Sequence, residues 1–234
     1  MATVLLVRHG RTTANAAGVL AGRAAGVSLD QLGRDQAALT GARLASVPLV
    51  AVVSSPLERC RQTAQLILDR QGGSLVTPIE EGITECDYGQ WQGRTLRDLA
   101  AEELWSVVQT QPSAVTFPGG ESMPAMQARS VAAIRRLDAA FEAEHGHCAV
   151  WVAVSHGDII KSVLADALGM HLDLFQRINV GPASVSIVRY GVGRPSVHAV
   201  NTDAGDLSWL GAGAPPADAP VGGGAGQAPH ASGA

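Results

Sequence analysis

The sequence shows no excess of positive charge: 17 Lys and Arg stand against 21 Asp and Glu, a formal net charge of -4 over 234 residues. Binding to a nucleic-acid backbone draws on clustered basic residues, so a nucleic-acid partner is not expected. No uninterrupted apolar run approaches the roughly 20 residues that span a bilayer, and a membrane partner is not expected either. The apolar opening at residues 1–7 is short, has no basic residue before it and leads straight into Arg8-His9-Gly10. It reads as a buried strand rather than a signal peptide, and the expected location is the cytoplasm. Cysteines are few: Cys60, Cys86 and Cys148 form no Cys-x-x-Cys pair and leave an odd number, which argues against a disulfide framework and a thiolate zinc site. None is followed six positions on by arginine, so the phosphate loop of cysteine phosphatases is absent. A carboxylate cluster suited to a pair of ions is missing as well, as are internal repeats. No metal and no cofactor are expected.

What is present is an ordinary globular composition, 46% hydrophobic and 16% charged, with chain enough for one substantial core. Short apolar runs rich in branched residues predict strands at 4–7, 49–53, 75–77, 149–154, 185–188 and 197–200. Helical spacing predicts helices at 31–45, 57–70, 96–109, 122–145 and 159–168. Strands alternating with helices imply an α/β fold, with three layers, α/β/α, around a mainly parallel central sheet. Residues 1–210 are assigned to this domain. From 211 to 234 the chain is almost wholly Gly, Ala and Pro, with Asp218 its only Asp, Glu, Lys or Arg, and a disordered tail is expected.

In open α/β sheets, sites collect beyond the carboxyl ends of the strands. The first predicted strand delivers Arg8 and His9 there, and the fourth delivers Ser155, His156 and Gly157. The 50s strand ends at Ser54-Ser55-Pro56, and Pro56 suits the first turn of a helix carrying Arg59. Three separate elements thus converge on one mouth. Arginine is the side chain best matched to phosphoryl oxygens, because its planar fork binds two of them and stays charged at any working pH. A neutral imidazole facing phosphorus can attack it and divide one difficult displacement into two easier ones. Phosphoryl transfer asks for such positioning and charge neutralisation above all.

A histidine beside an arginine at a strand end is weak on its own, and Arg59 read alone is a surface helix residue. The ordered constellation is more specific. Leu6-Val7-Arg8-His9-Gly10-Arg11-Thr12-Thr13-Ala14-Asn15 is followed by the run from Ser54 through Arg59 to Gln62-Thr63-Ala64. Glu85-Cys86-Asp87-Tyr88-Gly89-Gln90-Trp91-Gln92-Gly93, Phe117-Pro118-Gly119-Gly120-Glu121-Ser122 and Ser155-His156-Gly157 come next. Together they resemble the histidine phosphatase superfamily, also called phosphoglycerate mutase-like, over residues 3 to about 190.

The resemblance implies a phosphoglycerate mutase-like fold and a role for each matched position. His9 would be the nucleophile, with Arg8, Arg59 and His156 holding the phosphoryl group and Asn15 adding a neutral hydrogen bond. Glu85 would protonate the leaving alkoxide and then deprotonate the attacking water, which requires a raised pKa; the apolar neighbours Ile83 and Trp91 suit that. Gly22 and Arg23 fall in the loop that approaches substrate in the family. Gly157 would turn a helix start toward the anion. Position 11 departs from the pattern, with Arg where the family usually has Glu or Gln.

The activity implied is metal-independent hydrolysis of a small phosphorylated metabolite through phosphohistidine. The alternatives are mutase-type phosphoryl transfer and a non-catalytic phosphate-binding module. The segment between Glu85 and His156 lacks the length and basic pattern of the mutases, and Pro-Gly-Gly-Glu-Ser resembles the phosphatase branch. The stretch 94–117, with Trp105, is expected to roof the pocket. A homodimer is expected on the general frequency of small cyclic assemblies.

Overall fold

The computed structural model describes residues 2–72, 75–191, 193–205 and 221–224. A five-stranded sheet forms its middle, built from β1 (Thr3–Arg8), β2 (Leu49–Ser54), β3 (Val150–Ser155), β4 (Val185–Arg189) and β5 (Ser196–Thr202). The strand order is β2-β3-β1-β4-β5. β2, β3 and β1 run parallel, whereas β4 and β5 are antiparallel additions at one side. The parallel sheet expected from sequence is thus found in β2, β3 and β1.

Alternation along the parallel strands supplies both flanking layers. Leu5 and Val7 of β1, Val52 of β2, and Val152 and Val154 of β3 pack against Leu44, Cys60, Ala64 and Ile67. Those partners belong to α2 (Gln31–Leu44) and α3 (Glu58–Leu68). Val4, Leu6, Val53, Trp151 and Ala153 face the other way, into a larger core. It is closed by α6 (Met123–His145) and α7 (Gly157–Ala167). The indole Nε1 of Trp151 donates to Asp138 Oδ1 at 2.9 Å and so ties β3 to α6 in the core.

Two predicted elements take other forms. Residues 75–77 are not a strand: this stretch follows the edge of β2 through isolated bonds, Ser54 N to Pro78 O and Glu80 N to Ser54 O. Pro78 has no N–H to give to a ladder, which stops regular pairing there. The expected helix at 96–109 is two, α4 (Leu96–Leu99) and α5 (Glu103–Thr110). At ~100° per residue, Leu99 and Val108 would lie on opposite faces of one continuous helix. The break lets both be fully buried. A one-turn helix, α1 (Thr13–Ala16), follows β1, with Thr12 and Asn15 closing a capping box.

The 211–234 segment lies mostly outside the described residues. Four of its members, residues 221–224, are described, and Val221 is 1% exposed and belongs to the larger core. The glycines beside it let backbone groups approach buried polar side chains.

Candidate active site

Strand register builds the first half of the site. Arg8 of β1 stands beside Ser155 of β3, and Ser54 of β2 beside Val154. The chain continues the ladder one step past the strand ends, with His9 N donating to Ser155 O and Ser55 N to Val154 O, both at 3.0 Å. His9 and His156 are thereby brought edge to face, with ring centroids 5.3 Å apart. Gly10 N then donates to Thr63 Oγ1, which in turn donates to Arg59 O. Gly10 must be glycine, since a Cβ there would lie 2.2 Å from Gly33 O.

Hydrogen-bond partners assign the tautomers. His9 Nδ1 lies 2.7 Å from Gly10 O; the carbonyl only accepts, so Nδ1 carries the proton and Nε2 presents its lone pair. Arg59 Nε approaches that Nε2 at 3.3 Å, while Arg59 Nη2 donates to Gly22 O at 2.7 Å and lies 3.2 Å from His156 Nδ1. His156 Nε2 sits 2.8 Å from Ser55 Oγ. Arg59 Nη1 is buried with no hydrogen-bond partner among the described residues. A buried guanidinium donor left open is costly unless something occupies it.

Burial, with Arg59 and Arg8 close by, holds the His9 pKa well below the ordinary histidine value. Burial does the same to His156, reinforced by Arg59 and His9. Both imidazoles are therefore neutral near pH 7, as nucleophilic attack by His9 requires. Burial pushes Glu85 the other way, up to about 7, and the carboxylate of Asp158 adds to the rise. A neutral imidazole and a carboxyl group that holds its proton up to about pH 7 thus share one buried site. Its Oε2 lies 4.0 Å from His156 Nδ1.

The second half of the site is a loop held by side chains. Glu85 Oε1 accepts from Cys86 N at 3.0 Å, but the loop carrying it is positioned by Arg129 of α6. Arg129 Nη1 donates to Gly82 O and Thr84 O, and Nη2 to Glu85 O. Arg23 Nε donates to the same Glu85 carbonyl at 2.8 Å. Glu121 joins the two arginines, accepting from Arg23 Nη2 at 3.0 Å and Arg129 Nη2 at 2.6 Å, and takes Asp87 N as well. Partial burial alone would raise the Glu121 pKa, yet Arg129 and the Asp87 amide hold it below the usual value. Ser155 Oγ of β3 donates across to Ile83 O at 2.8 Å.

The cavity between these halves is lined by His9, Asn15, Gly22, Arg59, Glu85 and Tyr88, together with Val221, Gly222 and Gly224. Of the residues marked from sequence, His9, Asn15, Gly22, Arg59 and Glu85 line this cavity, whereas Arg8, Arg23, His156 and Gly157 stand behind or beside it. Asn15 lines the cavity while its Oδ1 accepts from Thr12. Gly157 begins α7 directly after His156. Arg23 stands behind Glu85, engaged with its carbonyl. Arg8 is fully buried, donating to Val180 O through Nη1 and to Gly222 O and Gly224 O through Nη2. Arg11 turns away to Asp30, the N-cap of α2.

Asp158 and Lys161 were missed from the sequence. Their ion pair on α7 is 2.9 Å long and wholly buried, with Tyr88 OH donating to Asp158 Oδ2. Lys161 is the chain's only lysine, and its position one helical turn past the histidine motif was the available signal. Glu121 stood in a quoted motif; Arg129 carried no local signal. Among the described residues, no three His, Cys, Asp or Glu side chains are grouped to hold an ion. No helix among them is long and apolar enough to cross a membrane.

A strand-end histidine paired with a buried arginine, a second histidine and a carboxyl group whose pKa is raised to about 7 defines a phosphoryl-handling class of α/β protein. The chain belongs to the histidine phosphatase superfamily (branch 1), whose family model matches residues 4–203. It is 31% identical over 205 residues to a bifunctional protein of Mycobacterium tuberculosis (strain H37Rv), covering 85% of this chain and 53% of that protein. The chain thus spans about half the length of that relative. It is 32% identical over 192 residues to GpmB of Yersinia pestis (strain Pestoides F), a probable phosphoglycerate mutase, covering 81% of this chain and 86% of that one. Among solved structures, it resembles the alpha-ribazole phosphatase of Shigella flexneri, with TM-score 0.73 and 28% identity over 86% of this chain and 96% of that one. The mycobacterial glucosyl-3-phosphoglycerate phosphatase is similar, with TM-score 0.74 and 26% identity over 86% of this chain and 99% of that chain.

Proposed function

We propose that the chain hydrolyses phosphate monoesters of small metabolites through a phosphohistidine on His9. The observation that carries this reading is the unprotonated Nε2 of a neutral His9, held by Arg59 Nε beside the unpartnered Nη1 of the same guanidinium, with Glu85 raised to a pKa of about 7 in the same cavity. In the first step the Nε2 lone pair forms the N–P bond as the ester P–O bond breaks, and Glu85 gives its proton to the leaving oxygen. In the second, the Glu85 carboxylate takes a proton from water. The water oxygen bonds to phosphorus, the N–P bond breaks, and inorganic phosphate leaves with Glu85 protonated again. Arg59 and Arg8 neutralise charge on the phosphoryl oxygens, and His156, Asn15 and the Gly157 amide at the start of α7 contribute uncharged hydrogen bonds.

Resemblance to two phosphatases of known structure supports hydrolysis. The likeness to GpmB gives phosphoryl transfer between phosphoglycerates as the second reading. Turnover of p-nitrophenyl phosphate in excess chelator, its loss in His9→Ala, and an acid-labile, alkali-stable phosphoenzyme are the expected results. A strict requirement for added divalent metal contradicts the mechanism. Phosphoryl exchange between phosphoglycerates faster than phosphate release moves the assignment to the mutase.

A further inference from the structure

The short segment Val221–Gly224 sits among the groups that the proposed chemistry needs for the phosphoryl group. Gly222 O and Gly224 O accept from Arg8 Nη2 at 3.3 and 2.6 Å, and Gly222 N donates to Asp158 Oδ2 at 3.0 Å. A carbonyl oxygen on a buried guanidinium offers the same partial negative charge that a phosphoryl oxygen would bring. Val221, Gly222 and Gly224 form part of the wall of the cavity beside His9, Arg59 and Glu85. Two carbonyl dipoles directed at Arg8 would also repel an incoming dianion, so the segment and a phosphate ester exclude each other.

The hold on the segment suits displacement. One side chain, Val221, is buried, and the residues after it are glycines, which lose more conformational freedom on ordering than any other residue. Gly222 has φ +71°, a backbone conformation that L side chains rarely adopt. A β-branched residue at 222 therefore strains the segment in its bound conformation and weakens its hold on the pocket.

We propose that Val221–Gly224 is an internal competitor for the phosphate pocket and that phosphate esters bind by displacing it. This rests on reading the cavity as a phosphate pocket. A site open in only a fraction of molecules has its apparent affinity reduced by that fraction. Removing the competitor therefore tightens binding without altering the chemistry at saturation.

The test uses full-length chains, comparing the wild type with Gly222→Val for orthovanadate affinity by calorimetry and for p-nitrophenyl phosphate turnover. Vanadate should bind about tenfold more tightly to the variant, with kcat/KM raised by the same factor and kcat unchanged. In the wild type, the Gly222 amide should lose protection from hydrogen exchange when vanadate saturates the site, a readout that does not depend on the variant folding. Unchanged or weaker vanadate binding by a folded variant, or a Gly222 amide still protected under vanadate, overturns the proposal. Failure of vanadate to bind either chain removes the pocket reading and the competition together. Vanadate displacement without ester turnover leaves the competition standing and sinks only the hydrolytic reading.

Discussion

The two halves of the site are held in place by different physics. His9, Arg59 and His156 stand on or just past strands and a helix whose positions follow from backbone ladders and a packed core. Glu85 stands on a loop whose carbonyls are gripped by two arginines, themselves joined through Glu121. The arginine pairs are partly exposed, with side chains 18–36% accessible. Backbone ladders are insensitive to pH and salt, whereas ion pairs of this kind weaken as carboxylates protonate and as salt screens them. In the proposed mechanism, covalent attack falls to the half held by backbone ladders, and proton transfer to the half held by ion pairs.

The largest expected effect breaks the half held by backbone ladders at its centre. His9→Ala should lower kcat by at least about a thousandfold, since it deletes the atom that bonds to phosphorus. Trapping experiments should recover no phosphoenzyme. Retained turnover in that variant would move the nucleophile elsewhere and void the comparison.

Glu85→Gln comes next, with an expected fall of about 10²–10⁴ in kcat for esters with poor leaving groups. Activated esters such as p-nitrophenyl phosphate should suffer less, because their leaving oxygen needs little help from a proton. The wild-type kcat/KM should decline above the Glu85 pKa of about 7 by about tenfold per pH unit, and the variant should lack that limb. The sign follows from burial, which favours the protonated acid; alkali removes the proton that the leaving group needs. Stability moves the same way. The folded carboxyl holds its proton more tightly than an unfolded one, so its contribution is full below the ordinary value of 4.5 and is lost as pH rises through about 7. A pH–rate profile identical in the two chains would remove Glu85 from the proton transfer.

Arg129 touches no reacting atom in this scheme and acts through the Glu85 loop, which makes it a positioning residue. Arg129→Met keeps much of the apolar stem but removes three carbonyl grips and both bonds to Glu121. A misplacement of ~1 Å can cost up to about a hundredfold in rate, so kcat should fall between about tenfold and a hundredfold while KM changes little. The alkaline limb should also shift, because Glu85 would be less firmly buried. A fall in thermal stability alone, with kcat and the pH profile intact, would reduce Arg129 to a structural part.

The same division explains what the sequence could reveal. The strand-borne residues were legible because each closes an apolar run with a short polar motif, and parallel register then brings such ends together without long-range information. The loop scaffold was not legible in the same way: Arg129 lies mid-helix among other arginines, and only the folded chain shows which one turns toward Gly82 and Thr84. The division of residues 96–109 into two helices follows from where Leu99 and Val108 must point, which a helical repeat alone does not report. Val221–Gly224 defeated composition-based reading for a related reason. Gly-rich sequence predicts little burial of its own, yet three glycines can bring backbone oxygen to a guanidinium that a bulkier chain could not reach.

Ser155 gives the finest test, because it sits on β3 yet its hydroxyl serves the loop, donating to Ile83 O from a position 1% exposed. Ser155→Ala leaves the strand ladder unchanged and orphans a carbonyl two residues before Glu85, at a cost of about 1–3 kcal/mol in stability. If the two halves are mechanically separate, kcat should drop only a few-fold, the alkaline limb should shift as in Arg129→Met, and phosphoenzyme formation from an activated ester should keep its wild-type rate. A variant that instead slows phosphoenzyme formation, with the alkaline limb in place, would mean that this bond holds His9 or His156. The boundary between the two halves would then lie on the loop side of Ile83.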